Sequence, residues 1–143
     1  MIIIYKFERL EEDRIFYGYY TKTKFSNGQT GVLFFGREIM SKTWEWNVSF
    51  AINNKKKRIW EWLKGQKSMD ITTGTCGLEG LIWAKNGLIA FEKFIKEENP
   101  YQKQRIVVAW SDPKRKKVYI HYLKKLGYKF TIHYEREFLI KDI

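Results

Sequence analysis

The first 54 residues alternate between apolar and polar positions, a pattern typical of β-strands with one buried face. The alternation is clearest over residues 43–52, where the apolar positions are Trp44, Trp46, Val48 and Phe50. Shorter strand-like runs cover residues 2–7, 14–22 and 29–37. The polar residues 10–13 and the sequence Ser26-Asn27-Gly28 predict turns between these runs. We therefore predict an antiparallel meander with one solvated face over residues 1–54.

Residues 68–143 change to alternating strand and helix patterns. After Gly77 the apolar residues are spaced by three and four positions, which predicts an amphipathic helix ending near Glu98. Gly87, in the middle of that helix, predicts a close approach between the helix and a strand. The apolar face is predicted to comprise Leu81, Ala84, Leu88, Phe91 and Ile95, widened by Leu78, Ile82, Ile89 and Phe94.

The end of the chain predicts a strand at 105–110, a second helix, and two strands at 128–134 and 137–143. Asp112 fits the N-cap of the second helix, Pro113 its first position, and Gly127 follows its end. The 143 residues contain neither an internal repeat nor a linker and predict a single domain. We expect an α+β fold of the three-layer α/β type, with a mixed, mostly antiparallel twisted sheet and helices packed on it.

A glycine-rich stretch joins a predicted strand at 69–73 to the first helix. Gly74, Gly77 and Gly80 lie where backbone N–H groups gather at the positive end of a helix dipole, an arrangement that suits a phosphate or another anion. A tight connection between strand and helix uses glycines in the same way. Both interpretations fit the sequence.

The chain carries 27 Lys and Arg against 16 Asp and Glu, a formal net charge of +11. Such a charge attracts polyanions, although a composition rich in Lys, Ile, Tyr and Asn gives the same excess. No apolar run approaches the roughly 20 residues needed to cross a bilayer, and the start of the chain lacks the features of a signal peptide. Cys76 is the single cysteine, and His121 and His133 have no metal-ligand spacing with it. We expect a cytoplasmic protein with no metal and no membrane contact.

The order of elements over residues 68–143, with the glycine turn and the sequence Leu126-Gly127-Tyr128, resembles the GNAT superfamily of N-acyltransferases. The resemblance covers about half of the chain. In that family the strand before the glycine turn splays from its neighbour, and backbone amides of the turn hold the pyrophosphate of acyl-CoA. Small GNAT-like domains of this kind occur in tailed bacteriophages, a source that the Lys-, Ile- and Tyr-rich composition would suit.

The resemblance implies an acetyl-CoA site. Asp112-Pro113 corresponds to the family's Asn-Pro sequence. The basic run that follows it would meet the 3′-phosphate of the cofactor or an acidic acceptor; it comprises Lys114, Arg115, Lys116 and Lys117. The pyrophosphate cradle would comprise Thr73, Gly74, Thr75, Cys76, Gly77, Leu78, Glu79 and Gly80.

The catalytic groups differ from the family's pattern. The tyrosine that commonly protonates the leaving thiolate falls on Leu123. Tyr119, one helical turn earlier on nearly the same face, and the adjacent Tyr122 are the candidates to replace it. By analogy with the family, Asp70 and Glu45 are candidate bases for the attacking amine, or else simple surface carboxylates.

Two functions follow from these observations. The first is an acyl-CoA-dependent N-acetyltransferase that acts on an amine acceptor, as the strand–glycine turn–helix order favours. The second is a non-catalytic GNAT-fold basic protein that binds nucleic acid or an acidic protein partner. Gly74 in place of Gln or Arg, Glu79 in place of a small residue, and Leu123 in place of tyrosine favour the second.

Overall fold

A seven-stranded sheet carries two helices in the described part of this computed structural model, which comprises residues 4–12, 16–53, 77–109, 113–133 and 135–143. The elements in chain order are β1 (Glu8–Glu12), β2 (Phe16–Lys24), β3 (Thr30–Met40), β4 (Thr43–Asn53), α1 (Gly77–Glu98), β5 (Gln104–Val108), α2 (Pro113–Lys124), β6 (Lys129–His133) and β7 (Arg136–Asp142). No helix in these ranges is both long and apolar enough to span a membrane.

The strand order is β1-β2-β3-β4-β5-β7-β6, and every neighbouring pair is antiparallel except β4 with β5. The prediction of an α+β fold with a mixed, mostly antiparallel sheet is thus confirmed. In the described residues both helices pack on the same face of the sheet, so these ranges form two layers. β5 lies between β4 and β7, so its parallel neighbour is the strand of residues 43–53. The predicted strand at 69–73 lies outside the described residues.

The first strand does not lie where the sequence pattern predicts it. Residues 4–7 form no strand, whereas the polar residues 8–12, part of which were predicted as a turn, form β1 and pair with β2. The apolar residues before β1 pack against α1 instead. The Tyr5 ring lies 5.8 Å from that of Trp83, and the Phe7 ring lies 5.3 Å from that of Phe91. Their alternation therefore reflects packing against α1 and not strand pairing.

Aromatic stacking holds α1 on the sheet. The rings of Phe91 and Phe35 are parallel to within 7° with centroids 3.8 Å apart, and both residues are fully buried. Trp46 of β4 meets the Phe91 ring edge-on at 5.4 Å. Three residues predicted for the buried face of the helix are instead exposed: Leu78, Ile82 and Ile89 are 60%, 45% and 45% exposed. The reason is that the helix contacts the sheet through a different set of buried residues, Trp83, Leu88, Phe91 and Ile95.

Gly87 marks a close approach between α1 and β3, as predicted. A Cβ atom at this position would overlap Leu33 Cδ1 and would lie 3.1 Å from Tyr5 Cε1. The Tyr5 hydroxyl also donates a hydrogen bond of 2.6 Å to the carbonyl oxygen of Trp83. Because Gly87 has no side chain, α1 can lie this close to β3.

A buried glutamine ties the last turn of α1 to the sheet. Trp46 Nε1 donates to Gln104 Oε1 at 3.0 Å, and Gln104 Nε2 donates to the carbonyl oxygens of Ile95 and Asn99 at 3.2 and 3.3 Å. These bonds satisfy the buried indole N–H of Trp46 and add to the backbone bonds that the carbonyls of Ile95 and Asn99 accept from the N–H groups of Asn99 and Gln102.

Candidate functional site: a cleft between the two helices

A cleft lies between α1 and α2, where β4 and β5 cease to pair. Their parallel pairing joins residues 44–48 to residues 104–108, after which β5 ends while β4 continues to Asn53. The sheet thus presents the far half of β4 to the space between the helices. The lining residues are Leu33, Val48 and Phe50 from the sheet, Leu81, Ala84, Lys85 and Leu88 from α1, Val108 and Ala109 after β5, and Tyr119, Tyr122 and Leu123 from α2.

The cleft is mainly apolar and narrow. Its cavity volume is about 40 Å³, which is room for roughly three water molecules. Pockets that enclose cofactor-sized ligands measure on the order of 300–1,000 Å³. An extended ligand can therefore enter between the helices only if they move apart.

Two tyrosines and a lysine bring polar groups to the cleft. Tyr119, Tyr122 and Leu123 are spaced by three and four residues, so they share one face of α2 and line the same wall. The ring of Tyr122 also meets that of His121 edge-on at 5.0 Å. The structure therefore brings both predicted proton donors to one site, together with Leu123, which is buried.

Lys85 is the cationic member of the cleft lining and was missed by the sequence analysis. It lies four residues after Leu81 and three before Leu88, on the same helical face as the apolar residues that line the cleft. The sequence did contain a signal for Lys85, because the lysine stands at a position where the helical period requires an apolar residue. The amine adds a positive charge to an otherwise apolar wall.

The first turn of α1 contains Gly77, Leu78, Glu79 and Gly80, the last four residues of the predicted cradle. Ser26, in the turn between β2 and β3, donates to the Glu79 carboxylate from its backbone N–H at 3.0 Å and from Oγ at 2.5 Å. These two bonds, the hydroxyl first, lower the pKa of Glu79 below the usual 4.5. The carboxylate is thus engaged by the β2–β3 turn. Thr73, Gly74, Thr75 and Cys76 lie outside the described residues.

Glu45 does not reach the cleft. It lies between Trp44 and Trp46 on β4, so its side chain is on the opposite face of the sheet, where the carboxylate forms an ion pair of 3.4 Å with Arg105. The structure therefore gives no support to Glu45 as a base for an amine in the cleft. Asp70, the other candidate base, lies outside the described residues.

The remaining predicted cofactor contacts follow β5. Asp112 lies outside the described residues. Lys114 and Arg115 lie in the first turn of α2, with their side chains outside the described part of the structure. The next residue, Lys116, forms an ion pair of 2.8 Å with Glu137 of β7. The basic start of α2 is thus tied to the sheet through Lys116.

No group of three histidine, cysteine or acidic side chains in the described ranges could hold a metal ion. In comparisons with known proteins the chain matches no family model, no curated protein and no solved structure.

Proposed function

We propose that the chain is a GNAT-like protein that binds an acyl-CoA in the cleft between α1 and α2, and that it transfers the acyl group to an amine. The observation that carries the proposal is the position of the cleft, at the end of the parallel pairing between β4 and β5 and between two helices. The resemblance seen in the sequence associates acyl-CoA with the strand before the glycine turn, which splays from its neighbour. That predicted strand, at 69–73, lies outside the described residues, and β4, the parallel neighbour of β5, would take its place.

The lining residues fit an acyl-pantetheine chain in their chemistry, and its entry requires α1 and α2 to move apart because the cavity is about 40 Å³. Leu33, Val48 and Phe50 would contact its apolar parts, and the first turn of α1 offers backbone N–H groups to a phosphate. Ser26 holds the Glu79 carboxylate at the β2–β3 turn. The carboxylate keeps its negative charge there, because the same bonds lower its pKa, so Glu79 opposes an anion at that turn.

The bound cofactor would supply the activated acyl group as a thioester. The task of the chain is to exclude water, orient the amine and protonate the leaving sulfur. Tyr119 and Tyr122 are the candidate proton donors, since both line the cleft. Lys85 would hold an anionic part of the ligand through its ammonium group.

A thermal-shift titration with acetyl-CoA tests the proposal, with CoA and ATP as controls. At 100 times the dissociation constant, a ligand that binds only the folded state adds about 2.7 kcal/mol, which raises Tm by several degrees. We expect acetyl-CoA and CoA to raise Tm in a saturable way and ATP alone to raise it less. The absence of any rise at millimolar acetyl-CoA would refute the proposal.

A matched pair of variants locates the binding. Ala84→Phe fills the cleft from α1 and should abolish the ligand-induced rise in Tm. Ala90→Phe adds the same ring to the same helix at a position outside the cleft lining and should preserve it. Once an amine acceptor is found by release of free thiol, Tyr119→Phe and Tyr122→Phe should lower turnover while the ligand-induced rise remains.

A second function, binding of nucleic acid or an acidic protein without catalysis, is favoured by the charge of α2. Its sequence PKRKKVYIHYLK contains five Lys or Arg and no acidic residue. Positive charges in the first turn oppose the helix dipole, so helix stability does not explain them. A shallow groove on this helix is lined by Lys117, Ile120, His121, Lys124 and Lys125. In the same experiments, this function would give no response to CoA and an oligonucleotide affinity that falls steeply with salt.

A further inference from the structure

Four side chains alternate between arginine and aromatic ring at the end of the sheet beside the C-terminus of α1. Arg9 of β1 lies over the Tyr17 ring with Cζ 4.9 Å from its centroid. Arg37 of β3 lies over the same ring at 4.2 Å and over the Trp44 ring at 4.5 Å. Trp44 in turn donates its backbone N–H to the carbonyl of Lys103, in the loop after α1. We call these four residues the arginine–aromatic cluster.

The Arg37 guanidinium is stacked against two aromatic rings and has no hydrogen-bond acceptor among the described residues. Two aromatic rings within 5 Å restrict the plane of the group. Among the described residues no carboxylate pairs with Arg37, and no side-chain hydrogen bond from it is found. Arg9 differs, because its Nε and Nη2 donate to the Tyr17 hydroxyl at 3.2 and 2.8 Å.

The carboxylates near the cluster whose side chains are described belong to the other face of the sheet. Glu45 pairs with Arg105 there, Glu38 is its cross-strand neighbour on that face, and Glu8 accepts from Tyr20. On the cluster's own face, β1 places Glu11 directly opposite Tyr17 in the register. Two guanidinium groups, those of Arg9 and Arg37, thus lie over the Tyr17 ring on this face.

We propose that the Arg37 guanidinium binds a phosphate group. A guanidinium can donate two parallel hydrogen bonds to a phosphate, and a planar group already oriented by stacking loses little entropy when it does so. The Arg37 guanidinium attracts a dianionic phosphate more strongly than a singly charged carboxylate at the same distance. The phosphate of a small monoester and that of single-stranded nucleic acid share this chemistry. The proposal does not depend on acyl-CoA binding in the cleft.

The test follows the side-chain Nε–Hε resonance of Arg37 by ¹H–¹⁵N NMR, assigned by its loss in Arg37→Lys. Phenyl phosphate, an oligothymidylate and acetate are titrated at constant ionic strength. We expect a saturable shift with one or both phosphate ligands and none with acetate. Saturation by the oligonucleotide alone identifies nucleic acid as the source of the phosphate, and saturation by phenyl phosphate identifies a small ligand.

Variants separate this site from general charge effects. Arg37→Lys keeps the charge but loses the planar pair of donors, so affinity measured by calorimetry should fall about tenfold or more. Arg136→Lys, at the exposed start of β7, makes the same change elsewhere and should leave affinity unchanged. Trp44→Leu, which keeps Arg37 but removes one stacked ring, should weaken binding as well. Equal shifts with acetate, no shift with either phosphate ligand, or equal effects of Arg37→Lys and Arg136→Lys would overturn the proposal.

Discussion

Replacing Gly87 with alanine tests how tightly α1 lies on β3. In an exposed helix this substitution stabilises the fold by about 0.5–1 kcal/mol, because alanine loses less backbone entropy on folding. Here the added Cβ would overlap Leu33 Cδ1 and approach Tyr5 Cε1 to 3.1 Å. Overfilling a packed core costs about 1–3 kcal/mol. The cost exceeds the gain, and we expect a net loss of about 1 kcal/mol in the free energy of unfolding.

The loss can be measured by guanidinium chloride unfolding, followed by tryptophan fluorescence and circular dichroism. For a chain of this length it corresponds to a fall in Tm of about 3 °C. Leu33→Val is the control, because it removes the Cδ atoms that the new methyl group would meet. In that background Gly87→Ala should be neutral or stabilising, which gives a coupling free energy of about 1–2 kcal/mol between the two positions.

Stabilisation by Gly87→Ala in the presence of Leu33 would refute the reasoning, since it would mean that the methyl group finds room. An effect of equal size in both backgrounds would also refute it, because the strain would then arise from a group other than Leu33.

Two further predictions concern hydrogen bonds at the two ends of α1. Because the pKa of Glu79 is lowered by Ser26, the bonds stabilise the fold above the usual glutamate pKa of about 4.5, and this contribution is lost as the pH falls through the lower value of the folded state. In Ser26→Ala an NMR titration should show the Glu79 pKa raised towards its usual value; an unchanged pKa would contradict the assignment. Gln104→Leu leaves Trp46 Nε1 without its acceptor and should lower the free energy of unfolding by about 2 kcal/mol, whereas an unchanged denaturation midpoint would contradict this.

Periodicity predicted those elements whose pattern arises from one buried face. The alternation over residues 43–52 corresponds to β4, and the spacing by three and four after Gly77 corresponds to α1. The same reasoning failed at the first strand, because a short apolar run is equally suited to pairing with a strand and to packing under a helix. Tyr5 and Phe7 pack against α1, and the polar residues that follow them form the edge strand.

The candidate site could be predicted only in part. The helical period places Tyr119 and Tyr122 near the face of Leu123, and all three line the cleft. The period of a strand gives the faces of β4 but not which face the helices cover, so it could not exclude Glu45. The pairing partner of β5 could not be predicted either, since pairing between strands distant in sequence depends on the whole sheet and not on the local sequence pattern.

The contact line of α1 accounts for the separation of the two proposed binding regions. Phe91 stacks on Phe35 in the middle of the sheet and, with Trp46, fills the space beneath the second half of the helix. The cleft is confined to one side of this aromatic contact, and the arginine–aromatic cluster lies beyond it on the same sheet face. Along β4 the residues that mark the two regions, Val48 and Trp44, are four positions apart, about 13 Å in a strand. Sites at such a distance with no shared side chain usually respond to substitution independently. Ala84→Phe should therefore leave phosphate binding at Arg37 intact, and Arg37→Lys should leave the response to acetyl-CoA intact.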